Sequence, residues 1–115
     1  MIRGAGILFI APDQQVLLLK RGPGGDHPGE WCFPGGTLED GETPEDTAKR
    51  ETIEEIGFLP EGTRSKFCET NMAGVHFTTY LQKVSDKFLP QLNGEHTAYL
   101  WVNIDEALEG TDAPQ

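Results

Sequence analysis

Between Gly36 and Phe58 the chain reads GTLEDGETPEDTAKRETIEEIGF, setting Glu39, Asp40, Glu42, Glu45, Asp46, Glu51, Glu54 and Glu55 against only Lys49 and Arg50. Carboxylates gathered in this way can hold a hard divalent cation such as Mg²⁺, which prefers oxygen ligands. The second half of the stretch has the marks of a helix over 44–56. Thr43 can cap it, Pro44 suits the first helical position, Asp46 completes a capping box, and Gly57 is a stop. On such a helix Glu51, Glu54 and Glu55, at i, i+3 and i+4, fall within about 100° of rotation. Ala48, Thr52, Ile56 and Ile53 form an apolar or small arc beside them, so the carboxylates are expected on a face separate from the packing face. Like charges at this spacing repel by a few tenths of a kcal/mol per exposed pair. A face that served only solubility would interleave lysines. The helix alone leaves two readings open, a cation site and an acidic solvated face. The glycine-rich turn before it and the spacing decide between them.

That spacing is G-x5-E-x7-R-E-U-x-E-E-x-G-U, with U a bulky aliphatic residue, and it resembles the signature of the Nudix hydrolases. Gly36, Glu42, Arg50, Glu51, Glu54, Glu55, Gly57 and Phe58 match in place. Thr52 stands where an aliphatic residue is usual, and Phe58 is aromatic rather than aliphatic. The upstream run WCFPGGTLEDGE, from Trp31, extends the resemblance. A match of this length is far more specific than a lone glycine motif.

The elements that must position these residues follow from the rest of the chain. Its 115 residues suit one domain, 1–115, with a single modest core. Hydrophobic content of 37% and charged content of 24% are those of a soluble globular class. No run of about 18 apolar residues occurs, so no membrane span is expected, and Met1 to Ala11 reads as a strand rather than a signal peptide. The net charge of −10 speaks against a general nucleic-acid surface. It leaves a phosphorylated small substrate open, because a bound cation inverts the local field. Cys32 and Cys68 read as two buried thiols in a reduced, cytoplasmic compartment, with a disulfide as the alternative.

Ile2–Ala11 and Gln15–Lys20 flank Pro12-Asp13-Gln14 and read as a β-hairpin, its second strand buried on both faces. Residues 21–30, RGPGGDHPGE, form a loop, either a surface connector or a mobile rim over a substrate. Lys20 and Arg21 at its entrance are phosphate contacts or a surface pair, and His27 reads as a solvent residue. Trp31-Cys32-Phe33 is a short strand, and Trp31 is either a base-stacking residue or a core residue. Thr63–Thr70 and Val75–Val84 read as antiparallel strands joined by a turn at Asn71–Gly74. Phe88–Gly94 is a loop and 98–102 a strand. Ile104–Glu109 starts a short helix capped by Asn103 that stops at Gly110.

The resemblance implies an α/β fold, the Nudix α/β/α sandwich, with a mixed β-sheet between helices and a short C-terminal helix. Family members usually carry a longer helix there, which leaves a fragment, or a partner over that face, as explanations. The implied reaction is metal-dependent hydrolysis of a pyrophosphate bond in a nucleoside diphosphate derivative, with Mg²⁺ (or Mn²⁺) as cofactor. Glu51, Glu54 and Glu55, with the Gly35 carbonyl, are the implied metal ligands. Glu54 is the first choice of general base, ahead of Glu51 and Glu95. Arg50 orients a glutamate, with Glu42 or Glu51 as its partner. The run EHTAYLW, from Glu95, is similar to that of several small Nudix enzymes and offers Glu95 as a further metal-site carboxylate or as a surface residue. Lys20, Arg21 and Trp31 are the candidate substrate contacts. The WCFPGG run leans to a MutT-like (deoxy)nucleoside triphosphate, and EHTAYLW to a dinucleoside polyphosphate. An ADP-ribose substrate is disfavoured, since Gly74 stands where that subgroup tends to carry proline. A catalytically inactive nucleotide-sensing module is the reading of another class, and such modules typically lose box carboxylates that are all present here. The expected partners are a nucleotide, no membrane, and a homodimer as a candidate assembly.

Overall fold

β1 (Ile2–Ile10) and β2 (Gln15–Arg21) leave one tight turn and then part. The turn is closed by Ala11 N–H donating to Gln15 O (2.8 Å) and Gln14 N–H to Ala11 O (3.0 Å). Beyond it the only paired residues of the two strands are Ile10 and Val16. The expected hairpin is therefore a hairpin only at its base. The gap is filled by the segment after the glycine-rich loop. There β3 (Trp31–Cys32) pairs with β2, and β4 (Gly35–Thr37) pairs with β1 through Gly4↔Thr37 and Gly6↔Gly35. The computed structural model describes residues 2–24 and 27–110, without the side chains of 108–110. The start of the first strand at Met1 and the end of the domain at 115 lie outside the described residues.

The far edge of β1 runs parallel to β6 (Val75–Lys83), from Ile2↔Val75 to Ile10↔Lys83. β5 (Arg64–Met72) is antiparallel to β6, joined by Ala73-Gly74, and its register slips at Phe67. β7 (His96–Asn103) lies antiparallel along the outer edge of β2. The sheet is thus mixed, in the order β3-β2-β1-β6-β5 with β4 on β1 and β7 on β2.

Alternation along β1 and β2 builds two cores. Ala5, Ile7, Phe9, Leu17 and Leu19 face α1 (Pro44–Ile56) and pack with Ala48 and Ile56. Leu8, Ile10, Val16 and Leu18 face the other way and pack with Ala107 of α2 (Ile104–Gly110). The result is the expected three-layer sandwich. α1 begins as its sequence requires. Thr43 Oγ1 accepts from Asp46 N–H (3.1 Å) and the Asp46 carboxylate accepts from Thr43 N–H (3.2 Å). It ends at Gly57, whose φ of 89° closes the last turn through a bond from its N–H to Ile53 O.

Two further expectations need correction. Ile53 is 48% exposed, whereas Thr47, Thr52 and Glu55 are buried, so the packing face and the carboxylate face overlap at Glu55. The reason is what α1 lies against. β4 offers backbone rather than bulky side chains, and Gly35 N–H gives Glu55 Oε1 a partner at 3.0 Å. The thiols also differ from expectation, since Cys32 is buried and Cys68 is exposed, and both are free. The aromatic end of the motif has a packing role. Phe58 meets Phe88 edge to face at 5.2 Å, and Phe88 packs likewise on Phe9 and Trp101. Trp101 Nε1–H donates to Phe88 O at 3.2 Å, fixing the loop that runs towards Glu95.

Candidate active site

β4 and the second half of α1 meet where β1 and β2 have parted. Gly36 lies so near α1 that a Cβ there would run into the Glu51 carboxylate. Arg50 lies at the centre. Its Nε donates to Glu42 Oε2 (2.7 Å) and its Nη2 to Glu42 Oε1 (3.0 Å), a two-pronged pairing. Nη2 also donates to the Thr37 carbonyl of β4 (3.1 Å). On the other side Nη1 donates to Glu51 Oε2 (2.8 Å) and Glu54 Oε2 (3.0 Å). Arg50 therefore takes both partners that the sequence offered as alternatives, and Glu54 besides.

The carboxylates are not electrostatically equal. Arg50 first, then Glu39 N–H and the Thr47 hydroxyl, hold Glu42 down at about 2. Glu51 is pushed above the ordinary carboxylate value, chiefly by burial, with Arg50 opposing and the Glu54 charge adding. Glu55, 5% exposed, is pushed up by burial too, with the Gly35 N–H opposing and the Glu51 charge adding. The Glu51 charge thus bears directly on Glu55. Glu54 stands at the rim, 51% exposed. A pair of buried carboxylates with too little positive charge around them, all hard oxygen donors, suits a divalent cation. Among the described residues no three His, Cys, Asp or Glu side chains already form a metal cage. Glu51 and Glu54 are held by Arg50, and Glu55 by Gly35.

The other candidates divide between the two faces. Arg21 shares the α1 face and reaches the Cys32 thiol, which burial above all raises to about 11, Arg21 opposing and the Glu55 charge adding. Trp31 packs into the core on the α2 side. Lys20 is its cross-strand partner and so shares that face. The structure thus places Arg21 beside Cys32 and His96 on the α1 face and leaves Lys20 and Trp31 on the opposite face. Glu95 is exposed before β7, near enough for its charge to act on Glu55. Its carbonyl accepts from Gly22 N–H at 2.8 Å, tying the two loops together.

Sequence reasoning passed over three participants. The Thr37 carbonyl holds Arg50, the Thr47 hydroxyl holds Glu42 (2.7 Å), and His96, buried beside Cys32 with Nε2 3.8 Å from Sγ, has no partner for Nδ1 among the described residues. Only Thr47 has a legible signal, since at 100° per residue it projects onto the same arc as Glu51 and Glu54.

A NUDIX domain family model matches residues 1–115. The chain is 50% identical over 56 residues to an RNA pyrophosphohydrolase of Aeromonas hydrophila, covering 49% of this chain and 30% of the relative. It is 34% identical over 116 residues to a putative 8-oxo-dGTP diphosphatase 3 of Mycobacterium tuberculosis, covering 91% and 54%. The chain thus spans about half or less of these curated relatives. Among solved structures, a MutT from a study of Aliivibrio salmonicida and Vibrio cholerae superposes with a TM-score of 0.75 at 25% identity, covering 94% of this chain and 84% of that one. With the whole motif in place around Arg50 and the family model spanning every residue, the chain belongs to the Nudix hydrolase family.

Proposed function

We propose that this domain catalyses the cation-dependent hydrolysis of a pyrophosphate bond in a nucleoside diphosphate derivative, with a (deoxy)nucleoside triphosphate as the first substrate class. The observation that carries the reading is the gathering of Glu51 and Glu54 on Arg50 and of Glu55 on the Gly35 N–H at the glycine turn, with Glu51 and Glu55 raised in pKa by burial. Glu51, Glu55, Glu54 and the Gly35 carbonyl would hold Mg²⁺ or Mn²⁺, with Glu95 as a further carboxylate from the opposite loop. Such a cation supplies neutralisation of phosphate oxygens and a water of lowered pKa.

The chain's own residues do the rest. Glu54, open to solvent and aimed by Arg50 Nη1, accepts the proton of the attacking water. Arg50 keeps Glu51 and Glu54 in fixed orientation, and Glu42 keeps Arg50. Arg21, on the same face, receives the phosphates leaving that centre. Positioning and charge placement of this kind supply most of the catalysis of phosphoryl transfer. Two free cysteines agree with a reduced, cytoplasmic setting. No described helix is long and apolar enough to cross a membrane.

The deciding experiment is a panel of nucleoside triphosphates, dinucleoside polyphosphates and other diphosphate derivatives assayed with Mg²⁺ or Mn²⁺. Turnover that drops by about 10²- to 10⁴-fold in Glu54→Gln, with the fold intact, supports the reading. No turnover of any compound would place a nucleotide-sensing module ahead of it. Unchanged turnover in Glu54→Gln would remove the assigned base.

A further inference from the structure

α1 contains two fully buried threonines, and they use their hydroxyls differently. Thr52 Oγ1 donates to Ala48 O at 2.7 Å, the usual recourse of a threonine inside a helix. Thr47 does not bond back to its own helix. Its hydroxyl reaches across the N-terminal turn and donates to Glu42 Oε1 at 2.7 Å. The family signature leaves position 47 free, so the motif does not demand this bond.

Glu42 is where it acts. Oε1 accepts from the Thr47 hydroxyl, from Glu39 N–H (2.9 Å) and from Arg50 Nη2 (3.0 Å), while Oε2 accepts from Arg50 Nε (2.7 Å). A carboxylate paired only with arginine is free to turn about its own bonds, and the guanidinium turns with it. Two donors from outside the pair remove that freedom. The plane of Arg50 is then set, and Nη1 on its far side is aimed at Glu51 and Glu54 together. The fully buried Thr47 side chain has no room to swing away.

The geometry points to Thr47 as a positioning residue for the hydrolytic site, acting through Glu42 on Arg50 and, through it, on Glu51 and Glu54. This rests on the hydrolytic reading above. Thr47→Val keeps the shape and removes the hydroxyl, and Thr47→Ser keeps the hydroxyl. In the folded domain, Thr47→Val is expected to lower kcat about tenfold with KM nearly unchanged, the low end for loss of a supporting hydrogen bond. Thr47→Ser should restore kcat. In a Glu42→Gln background Thr47→Val should cost nothing further, because the two act as one unit. A readout free of turnover is the ¹⁵N NMR signal of Arg50 Nε–H, expected to be protected from exchange in the parent and in Thr47→Ser, and exchange-broadened in Thr47→Val. Parent-like kcat or parent-like Arg50 protection in Thr47→Val overturns the proposal, as does a full further loss in the Glu42→Gln background. If Glu54→Gln abolishes turnover while Thr47→Val changes nothing, only the role of Thr47 falls. If no compound turns over at all, the hydrolytic reading falls, and the Arg50 signal still decides whether Thr47 orders the cluster.

Discussion

Two charge clusters of similar make-up stand on different ground in this molecule. Around Arg50 the carboxylates are Glu42, Glu51 and Glu54, with side chains 25% (Arg50), 18% (Glu42) and 17% (Glu51) exposed at the inner contacts. On the β5–β6 hairpin His76 bridges Asn71 Oδ1 (2.8 Å) and Glu69 Oε1 (2.9 Å), and Lys66 Nζ reaches Glu69 Oε2 (3.2 Å). The distances hardly differ. The surroundings do. The Arg50 cluster is fastened to the Thr37 carbonyl, the Glu39 N–H and a buried hydroxyl. The His76 cluster joins side chains to one another across the outer pair β5 and β6, with His76 23%, Lys66 56% and Glu69 43% exposed. Short ion pairs are common on surfaces and contribute little there. What distinguishes a site is that backbone and buried groups leave its charges no alternative arrangement.

Substitutions can break or sharpen this contrast. The largest effect is expected from Gly36→Ala. The added Cβ meets the Glu51 carboxylate, and misplacing that group should lower kcat by about 10²-fold. Steady-state kinetics beside a circular dichroism melt separates this from unfolding. Next is Arg50→Lys. An ammonium cannot hold both Glu42 oxygens and also reach Glu51, Glu54 and the Thr37 carbonyl. Activity should fall about tenfold or somewhat more, and a lysine enzyme as fast as the parent would show that charge alone suffices.

A smaller effect is expected with pH. Glu42 sits at about 2 when folded against an ordinary 4.5 when unfolded. Its stabilisation is fully present above pH 4.5 and is lost as pH falls towards 2. The difference in urea midpoint between the parent and Glu42→Gln should be flat from pH 7 to about 5 and shrink below that. A difference that grew on acidification would contradict the sign. The smallest effect is expected on the other side of the comparison. Lys66→Ala should leave kcat unchanged and move Tm by no more than about 2 °C. A loss as large as that of Arg50→Lys would end the distinction between the clusters.

The sequence made the local parts of this picture legible. The limits of α1 were readable because cap, proline, capping-box carboxylate and terminal glycine all act within a few residues. The β5 and β6 strands were readable from alternation. The Arg50 partners were legible as alternatives only through the resemblance, which implies that this arginine orients a glutamate of the motif. What failed to show was set by distant neighbours. Nothing between Ile2 and Arg21 tells that β1 and β2 separate, because the strands that enter the gap come later in the chain. A helical projection assigned Ile53 inward and Glu55 to the carboxylate face, since it cannot know that the opposing surface is glycine backbone with a free N–H. Cys68 followed its average tendency to be buried on a strand that the sheet leaves at its edge. Thr47 projects onto the carboxylate arc, and nothing beside it in sequence tells that Glu42 folds back against it.

The parting of β1 from β2 has an evolutionary reading. The glutamates, Arg50 and the glycine turn are carried by α1 and the β1 side of the gap. Arg21 and the loop after it belong to the β2 side, with Glu95 leading into β7. On the proposed function, the carboxylate cluster and the loops opposite it are thus carried by strands that pair with each other only at Ile10 and Val16. Insertions and exchanges in one can accumulate without retuning the other. A domain divided in this way can be given new substrates by loop replacement while its chemistry stays constant.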